Sequence, residues 1–337
     1  MPSATALSDA ALTALTGCTC AGICALTLWQ TPIAGQGRLP DGSYQRGYEA
    51  RFKEYLPGRS WLAEGWAAAR LELFNEVAEG AVLGRDGWLF TTEEFTAPAA
   101  PADLRRELRK AKAALAAQGA VLLPLLVPDK ARIETARLPR PRSAAFANRY
   151  DMALDVLRRE GLPALDLRPP LQAEGFLRTD THWTPEAARL VARRAALALQ
   201  DMPLERPGFV TLRQGIAPFE GDLLAFAGST TWAAQRRPPP ERIASYETAG
   251  GSLGLLGTAA PALILTGTSF SARPAFHFEG FLKSETGADA VNYAEEGQGP
   301  FTPMRNLLRL LAAKEIAPPK AVIWEIPERY LPVGDLK

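Results

Sequence analysis

Leu263-Ile264-Leu265-Thr266-Gly267-Thr268-Ser269-Phe270-Ser271 is an apolar run that ends in a Gly-Thr-Ser turn. The apolar run predicts a strand that is buried on both faces, as in a parallel sheet covered by helices. In open α/β sheets, ligands bind outside the carboxyl ends of the strands, which is where this turn projects Ser269. Gly267 allows a sharp bend, and a helix that begins after it would offer N–H groups to an oxyanion.

Two other apolar runs predict further strands of the same sheet. Residues 120–127 read AVLLPLLV and residues 321–326 read AVIWEI, and a short strand is also predicted over Leu162–Leu167. The segments around them have the pattern of amphipathic helices, over Pro101–Gln118, Ala144–Glu160 and Thr184–Gln200. Strands that alternate with helices predict an α/β fold with a mostly parallel sheet flanked by helices.

The chain divides into segments of different character. Residues 1–36 are predicted to be a membrane anchor or an uncleaved signal, residues 37–80 a helical lead-in, and residues 81–337 the main α/β domain. Within that domain, residues from about 203 to 254 are rich in Pro, Gly and Thr and contain Pro238-Pro239-Pro240, which predicts an irregular insertion. The Asp-Gly pair within Gly84–Phe90 predicts a tight turn that leads into a short strand.

The N-terminal region has a long uncharged stretch between Asp9 and Arg38. Within it, Ala10–Trp29 as a helix is long enough to cross the roughly 30 Å hydrocarbon core of a bilayer. This favours an anchor or an uncleaved signal over the alternative, a buried helix of a soluble protein. Basic residues after the segment argue against export of the main domain, so this segment alone leaves the orientation open.

The composition excludes several classes of function. The 337 residues include 38 Lys and Arg against 37 Asp and Glu, and this balance argues against a nucleic-acid binder with a basic face. Hydrophobic residues make up 47% of the chain, which is enough for a full core. The three cysteines all lie within residues 18–24 and cannot form a zinc cage without distant ligands. No metal and no cofactor are therefore predicted.

The chain has only two histidines, His182 and His277, so the search for a general base is short. His182 precedes a predicted helix, and Asp180 lies two positions earlier. Its carboxylate could hold one ring nitrogen, fix the tautomer and stabilise the imidazolium. His277 lies among phenylalanines without such a carboxylate, and it is predicted to be a partly buried structural residue. Ser269, His182 and Asp180 are therefore the predicted reactive residues.

Asp180-Thr181-His182-Trp183-Thr184, followed much later by Gly267-Thr268-Ser269-Phe270-Ser271, resembles the SGNH-like domain of bacterial alginate O-acetyltransferases, the AlgJ/AlgX group. Other segments agree: GRDGWLF at 84–90, PDK at 128–130, GDLL at 221–224, GPF at 299–301 and WEIPERY at 324–330. The resemblance covers about Val82–Leu331, with the insertion only loosely aligned. In that family the Asp-x-His precedes the serine, as it does here.

The resemblance implies an SGNH-hydrolase-like fold in which Ser269 is the nucleophile, His182 the general acid and base, and Asp180 the orienting carboxylate. It implies an O-acetyltransferase that moves acetyl groups, through an acetyl-serine, onto hydroxyls of an exported, alginate-like polysaccharide. It also implies a periplasmic protein anchored to the bacterial inner membrane, with a membrane-bound acyltransferase that delivers acetyl groups. Two alternatives stay open: a carbohydrate acetyl-esterase with the same triad, and a non-catalytic polysaccharide-binding assembly subunit.

Further residues are predicted around the reactive serine. Its own N–H is the expected oxyanion donor. Three polar side chains are additional candidates for oxyanion or substrate binding: Asn292, Arg273 and Arg305. Trp183 could stack on a sugar or only pack beneath its loop. Lys130 and Arg132 follow the strand at 120–127 and could contact an anionic polymer or be solvated surface charges.

Overall fold

The structure is a computed structural model that describes residues 9–32, 38–74, 76–99, 101–228, 237–251 and 261–333. Parts of every predicted segment lie outside the described residues: 1–8 and 33–36 of the anchor, 37 and 75 of the lead-in, 229–236 and 252–254 of the insertion, and 100, 255–260 and 334–337 of the rest of the main domain. The chain forms two units, Met1–Ala69 and Arg70–Lys337.

The described part of the first unit contains three helices: α1 Asp9–Gln30, α2 Ser43–Tyr55 and α3 Arg59–Ala69. The lead-in is thus helical as predicted, but Leu56-Pro57-Gly58 interrupts it, because a residue before proline is driven out of the helical region. Helix α1 coincides with the predicted segment Ala10–Trp29. Within the described ranges, however, no helix combines the length and the apolar character needed to cross a membrane. Membrane anchoring stays a prediction.

The second unit contains the remaining elements. Its strands are β1 Ala81–Leu83, β2 Leu89–Thr91, β3 Val121–Val127, β4 Phe209–Phe219, β5 Glu241–Gly250, β6 Leu263–Thr266, β7 Ala290–Asn292 and β8 Ala321–Pro327. Its helices are α4 Leu104–Ala116, α5 Lys130–Ile133, α6 Ala144–Arg159, α7 Arg168–Glu174, α8 Pro185–Ala198, α9 Ser269–Ala272, α10 Phe278–Thr286 and α11 Phe301–Ala312.

A four-stranded sheet forms the centre of this unit. Its strands lie in the order β3-β8-β6-β7, and each neighbouring pair is parallel. The predicted α/β fold with a mostly parallel sheet and flanking helices is therefore confirmed. Strand β7 was not predicted, since its three residues are too short to stand out as an apolar run.

The continuous apolar sequence of β3 follows from burial of both faces of the sheet. Leu123 and Leu125 pack into a core with α7, α8 and α10. Leu122 and Leu126 point to the opposite core, which includes residues of α4, α6 and α11. Burial of each such side chain contributes about 1.5–3 kcal/mol. Since both faces are covered, the edge where the strands end is the part of the sheet left for chemistry.

A turn and a short strand were predicted beside the sheet, and only the turn is present. The predicted turn within Gly84–Phe90 is present, because β1 and β2 pair as an antiparallel hairpin in which Asp86 has a φ of 55°. The predicted strand over Leu162–Leu167 is wrong, since these residues form no strand. The N–H of Leu167 instead donates to the hydroxyl of Tyr150 at 3.1 Å, so this backbone group bonds to a side chain and not to a neighbouring strand.

The prediction of an irregular insertion over residues 203–254 is also wrong. Strands β4 and β5 form an antiparallel pair, and its register shifts between Arg213 and Gly215. The residues Pro238-Pro239-Pro240 precede β5 and do not interrupt it. The pair lies beside α10, where the hydroxyl of Thr211 donates to Ser284 Oγ at 2.8 Å. Most side chains of the two strands are exposed or half-buried, which is why the sequence shows no apolar run.

Candidate active site

Ser269 is the first residue of α9, directly after β6 ends at the carboxyl edge of the sheet. The Thr268 hydroxyl caps this short helix by accepting from the Phe270 N–H. Gly267 has a φ of +155°, and a Cβ there would lie 2.6 Å from Glu325 Oε2. Glycine is therefore required on steric grounds at the turn that presents Ser269.

His182 approaches Ser269 from the loop between α7 and α8. Its Nε2 lies 2.7 Å from Ser269 Oγ. The loop is held in place by an isolated bridge between Phe176 and Trp183, and by a bond from the Leu177 N–H to the His182 carbonyl at 3.0 Å. The buried ring thus meets the serine hydroxyl through one nitrogen only.

Asp180 binds the other side of the His182 ring. Its Oδ1 lies 2.6 Å from His182 Nδ1 and also accepts from the His182 N–H at 2.9 Å. Its Oδ2 accepts from the Asp222 N–H at 2.8 Å. Burial opposes ionisation of this carboxyl, but the bonds and charge of His182 outweigh it and lower the pKa of Asp180 to about 2. Three residues predicted to act together therefore lie in one hydrogen-bonded row.

A second carboxylate, Asp222, completes the surroundings of the histidine and was not predicted. Its Oδ2 lies 3.6 Å from His182 Nδ1, and its Oδ1 accepts from the Thr181 N–H at 2.8 Å. Burial and the nearby Asp180 charge raise the pKa of Asp222. The GDLL segment at 221–224 was the available signal, but nothing in the sequence places it beside His182.

Gly221 lies against the backbone of Thr179, and this contact predicts the effect of a substitution. A Cβ at position 221 would lie 2.2 Å from the Thr179 carbonyl oxygen. We expect Gly221→Ala to lower the free energy of unfolding by about 1–3 kcal/mol and to reduce activity, because the loop that carries His182 must shift. Urea denaturation measures the change. Gly215→Ala is the matched control, since a Cβ there meets nothing within 4 Å. Equal losses in the two variants would contradict the prediction.

Glu325, at the carboxyl end of β8, holds the turn that carries the serine and was also missed. Its Oε2 accepts from the Thr268 N–H at 2.7 Å, the Thr268 hydroxyl at 3.0 Å and the Ser271 hydroxyl at 3.2 Å. Complete burial outweighs these bonds and raises the pKa of Glu325 to about 7. The sequence places this glutamate within a predicted strand. It does not show that the strand lies beside the one that ends at the serine turn, so the bonds to Thr268 and Ser271 could not be predicted.

The raised pKa of Glu325 predicts how stability depends on pH. Its folded-state pKa of about 7 lies above the ordinary value of 4.5, so the folded protein binds this proton more tightly than the unfolded chain does. The contribution of Glu325 to the free energy of unfolding should therefore fall by about 3 kcal/mol as the pH rises through this window and level off above it. Glu325→Gln, which cannot ionise, should lose that slope in urea denaturation at a series of pH values. Identical slopes for the two proteins would refute this assignment.

The serine and histidine open into a cleft of about 530 Å³. Its lining combines hydroxyl, acidic and basic side chains, including Thr91, Thr92, Glu93, Arg273, Glu296 and Arg329. Arg273, a predicted candidate, therefore lies at the site. Its Nε donates to Glu296 Oε2 at 2.9 Å, and its Nη1 lies 3.9 Å from Asp180 Oδ2.

Three other residues singled out in the sequence occupy different surroundings. Asn292 faces a neighbouring cavity of about 520 Å³, and its Nδ2 donates to the Ser271 carbonyl at 2.7 Å. Arg305 is not among the residues of the catalytic cleft, because it pairs with Glu107 of α4 at 2.9 Å. His277 is half-buried with its Nε2 2.7 Å from Thr248 Oγ1, in keeping with the structural role predicted for it.

Of the two roles considered for Trp183, packing beneath its loop is the one observed, whereas Lys130 has neither of its two predicted roles because it is buried. The Trp183 side chain is 0% exposed and packs against Phe270 and Phe278, so no sugar can stack on it. Lys130 is buried, and its Nζ donates to the carbonyls of Arg178 and Asp180 at 3.0 and 2.9 Å. It supports the backbone of the histidine loop from below. Arg132 likewise pairs with buried Glu328 at 2.6 Å and is not a solvated charge.

The side chains around the His182 ring include a group that could hold a cation. Asp180, His182 and Asp222 each offer a ligand atom, and these atoms lie within 4.8 Å of one another. One of the three, His182 Nδ1, is at hydrogen-bonding distance from Asp180 Oδ1. The present geometry is therefore that of a Ser-His-Asp row, in which the ring proton occupies the position that a metal would need.

Comparison with known proteins agrees with this geometry. Residues 81–328 match the family described as SGNH hydrolase-like domain, acetyltransferase AlgX. The chain belongs to this family. The matched residues 81–328 include Ser269, His182 and Asp180, and the match confirms the predicted SGNH-like fold. Together with the relatives named alginate O-acetylase AlgJ, it confirms the predicted enzyme class, an O-acetyltransferase.

Individual members of the AlgX-type family show the same relationship. A probable alginate O-acetylase AlgJ of Pseudomonas syringae pv. tomato is 37% identical over 87% of this chain and 79% of that protein. The solved O-acetyltransferase domain of Pseudomonas putida AlgJ matches with a TM-score of 0.67 and 34% identity, over 76% of this chain and 93% of that one. Pseudomonas aeruginosa AlgX matches with a TM-score of 0.57 and 26% identity, over 76% of this chain and 62% of that one.

Proposed function

We propose that this chain transfers acetyl groups to hydroxyls of alginate, or of a closely related exported polysaccharide, through an acetyl-Ser269 intermediate. The observation that carries the proposal is the row from Asp180 through His182 to Ser269, with contacts of 2.6 and 2.7 Å. The names of the AlgJ relatives support alginate as the acceptor. The row supplies a nucleophile, a base and an orienting carboxylate at the mouth of an open cleft.

Each half of the reaction uses the same histidine. His182 Nε2 takes the Ser269 proton as Oγ attacks the acetyl carbonyl of the donor, and the imidazolium then returns that proton to the departing group. In the second half, His182 takes the proton of a sugar hydroxyl that attacks the acetyl-serine, and it gives this proton back to Oγ as the ester bond breaks. Asp180 stays ionised throughout, because its pKa of about 2 lies far below neutral pH.

The oxyanion formed in both halves needs hydrogen-bond donors. The Ser269 N–H donates to no residue in the described part of the chain, and it lies at the start of α9 beside the reacting hydroxyl. One such donor typically contributes about 3–4 kcal/mol to transition-state stabilisation. In this mechanism the backbone of the nucleophile therefore provides the first donor, and Arg273 provides positive charge along the same cleft.

The cellular setting is part of the same proposal. The acetyl donor would be a membrane-bound acyltransferase that passes acetyl groups across the inner membrane, and the acceptor would be the polymer in the periplasm. Residues 1–36 would then attach the chain to that membrane. Support for this setting comes from the long uncharged stretch between Asp9 and Arg38 and from the resemblance to enzymes of an exported polymer.

Incubation of the full-length protein with a chromogenic acetyl ester tests the reaction. In the presence of alginate oligosaccharides, mass spectrometry should detect oligosaccharides that have gained an acetyl group. Release of acetate without any acetylated sugar would identify an esterase that uses water. No reaction with either acceptor, in a protein that is folded, would favour a binding or assembly subunit.

A further inference from the structure

Arg329 is a buried cation in the wall of the catalytic cleft. It follows β8 in the turn Glu328–Tyr330, and its side chain is only 7% exposed. It lines the same cleft as Ser269, and its guanidinium lies 5.3 Å from the centre of the Phe270 ring. The residue therefore lies next to the reacting centre, although neither half of the proposed reaction uses it.

The guanidinium of Arg329 is poorly satisfied for a buried charge. Its Nε makes no hydrogen bond, although Glu93 Oε2 lies 2.9 Å away in a side chain that is 58% exposed. Its terminal nitrogens donate to no residue of the described ranges. The buried Arg149 is different, because its guanidinium binds Asp129 and Glu328. Burial of a charge without hydrogen bonds is costly, so a site that keeps one is prepared for an anionic partner.

We propose that Arg329 binds the carboxylate of a uronic-acid unit in the acceptor chain and so selects a polyuronate over a neutral polysaccharide. This inference rests on the proposed transfer of acetyl groups to alginate. A planar guanidinium can bind a carboxylate through two parallel N–H···O bonds. A neutral sugar hydroxyl in the same place would leave the positive charge of the guanidinium uncompensated. Arg273, in the same cleft, adds a second positive charge. The transient oxyanion is the other anion of this reaction, and the experiment separates the two.

The test compares two acceptors that differ only in charge: alginate oligosaccharides, and the same oligosaccharides with their carboxylates reduced to alcohols. For Arg329→Gln, kcat/KM with the uronate acceptor should fall roughly ten- to a hundredfold relative to kcat/KM with the reduced acceptor. Arg329→Lys, which keeps the charge but loses the planar fork, should give a smaller fall. Arg109→Gln is the control, because Arg109 pairs with Glu160 on the exposed surface and should leave both values unchanged.

Two outcomes would overturn the inference. An equal loss with both acceptors would mean that Arg329 serves the oxyanion or the turn, and no loss in a folded variant would mean that it binds nothing in the acceptor. If Arg329→Gln unfolds, Arg329→Lys decides by the same comparison. A binding measurement tests the inference without acetyl transfer. Calorimetry compares the affinity of the uronate oligosaccharide for Ser269→Ala and for Ser269→Ala/Arg329→Gln. The double variant should bind the oligosaccharide more weakly. Equal affinities there would refute the inference even if the wild type only hydrolyses.

Discussion

Ser269→Ala is expected to lower kcat for acetyl transfer by roughly a millionfold without unfolding the protein. The hydroxyl that lies 2.7 Å from His182 Nε2 is the atom proposed to carry the acetyl group, and alanine removes it. His182→Ala should cost about as much, and the double variant little more, because the residues of such a row act as one unit. Initial rates with alginate oligosaccharides measure all three.

Ser271→Ala is the matched control for the loss of a serine hydroxyl. Ser271 lies two residues further along α9, and its hydroxyl donates to Glu325 Oε2 at 3.2 Å instead of meeting His182. We expect this variant to stay within about tenfold of wild type, since it loses one hydrogen bond that positions the turn. A Ser269→Ala protein that keeps near-wild-type transfer would place the acetyl-carrying atom elsewhere. Mass spectrometry of the quenched reaction should find the acetyl group on the peptide that contains Ser269.

Asp180→Asn is expected to lower kcat about ten-thousandfold, the second largest effect. The Asp180 carboxylate accepts from His182 Nδ1 at 2.6 Å, so it holds the proton on that nitrogen and leaves Nε2 free to accept from Ser269. An asparagine at this position removes the negative charge that stabilises the imidazolium, and its NH2 group can favour the opposite tautomer. Steady-state rates and the thermal midpoint of unfolding should be measured together, because Asp180 is buried.

Asp222→Asn tests whether the effect belongs to Asp180 or to negative charge in general. Asp222 lies further from the ring, with 3.6 Å between its Oδ2 and His182 Nδ1, and its closest bonds are to Thr181. This change should therefore cost far less than Asp180→Asn. Equal losses would show that the two carboxylates share the task, and a larger loss at Asp222 would reverse the assignment.

The residues of the active site differ in how far the sequence could reveal them. Asp180 and His182 are two positions apart, so the contact between them is a local property of one loop. Ser269 could be predicted from the sequence because an apolar run followed by glycine marks the end of a buried strand. Asp222 and Glu325 come from distant segments, and their roles arise only when those segments pack against the loop and the turn.

Two of the sequence interpretations overlooked the direction in which a side chain points. A sugar contact was considered for Trp183, and an exposed position for Lys130, because they stand beside reactive or strand-end residues, but both side chains turn inward. A position in the chain does not reveal which way a loop residue points. The hairpin of β4 and β5 was missed for the converse reason, since its strands bury little apolar surface and so carry a weak pattern.

The sequence by itself determined the parallel sheet, the flanking helices and the members of the row formed by Asp180, His182 and Ser269, because burial of both sheet faces leaves apolar runs and because the Asp-x-His contact spans only two residues. Only the tertiary structure decided what surrounds the row: Glu325 beneath the serine turn, Asp222 beside the histidine and Arg329 in the cleft wall. These contacts join segments that lie far apart in the chain. Their chemistry depends on burial and on neighbouring charges, which no single stretch of sequence contains.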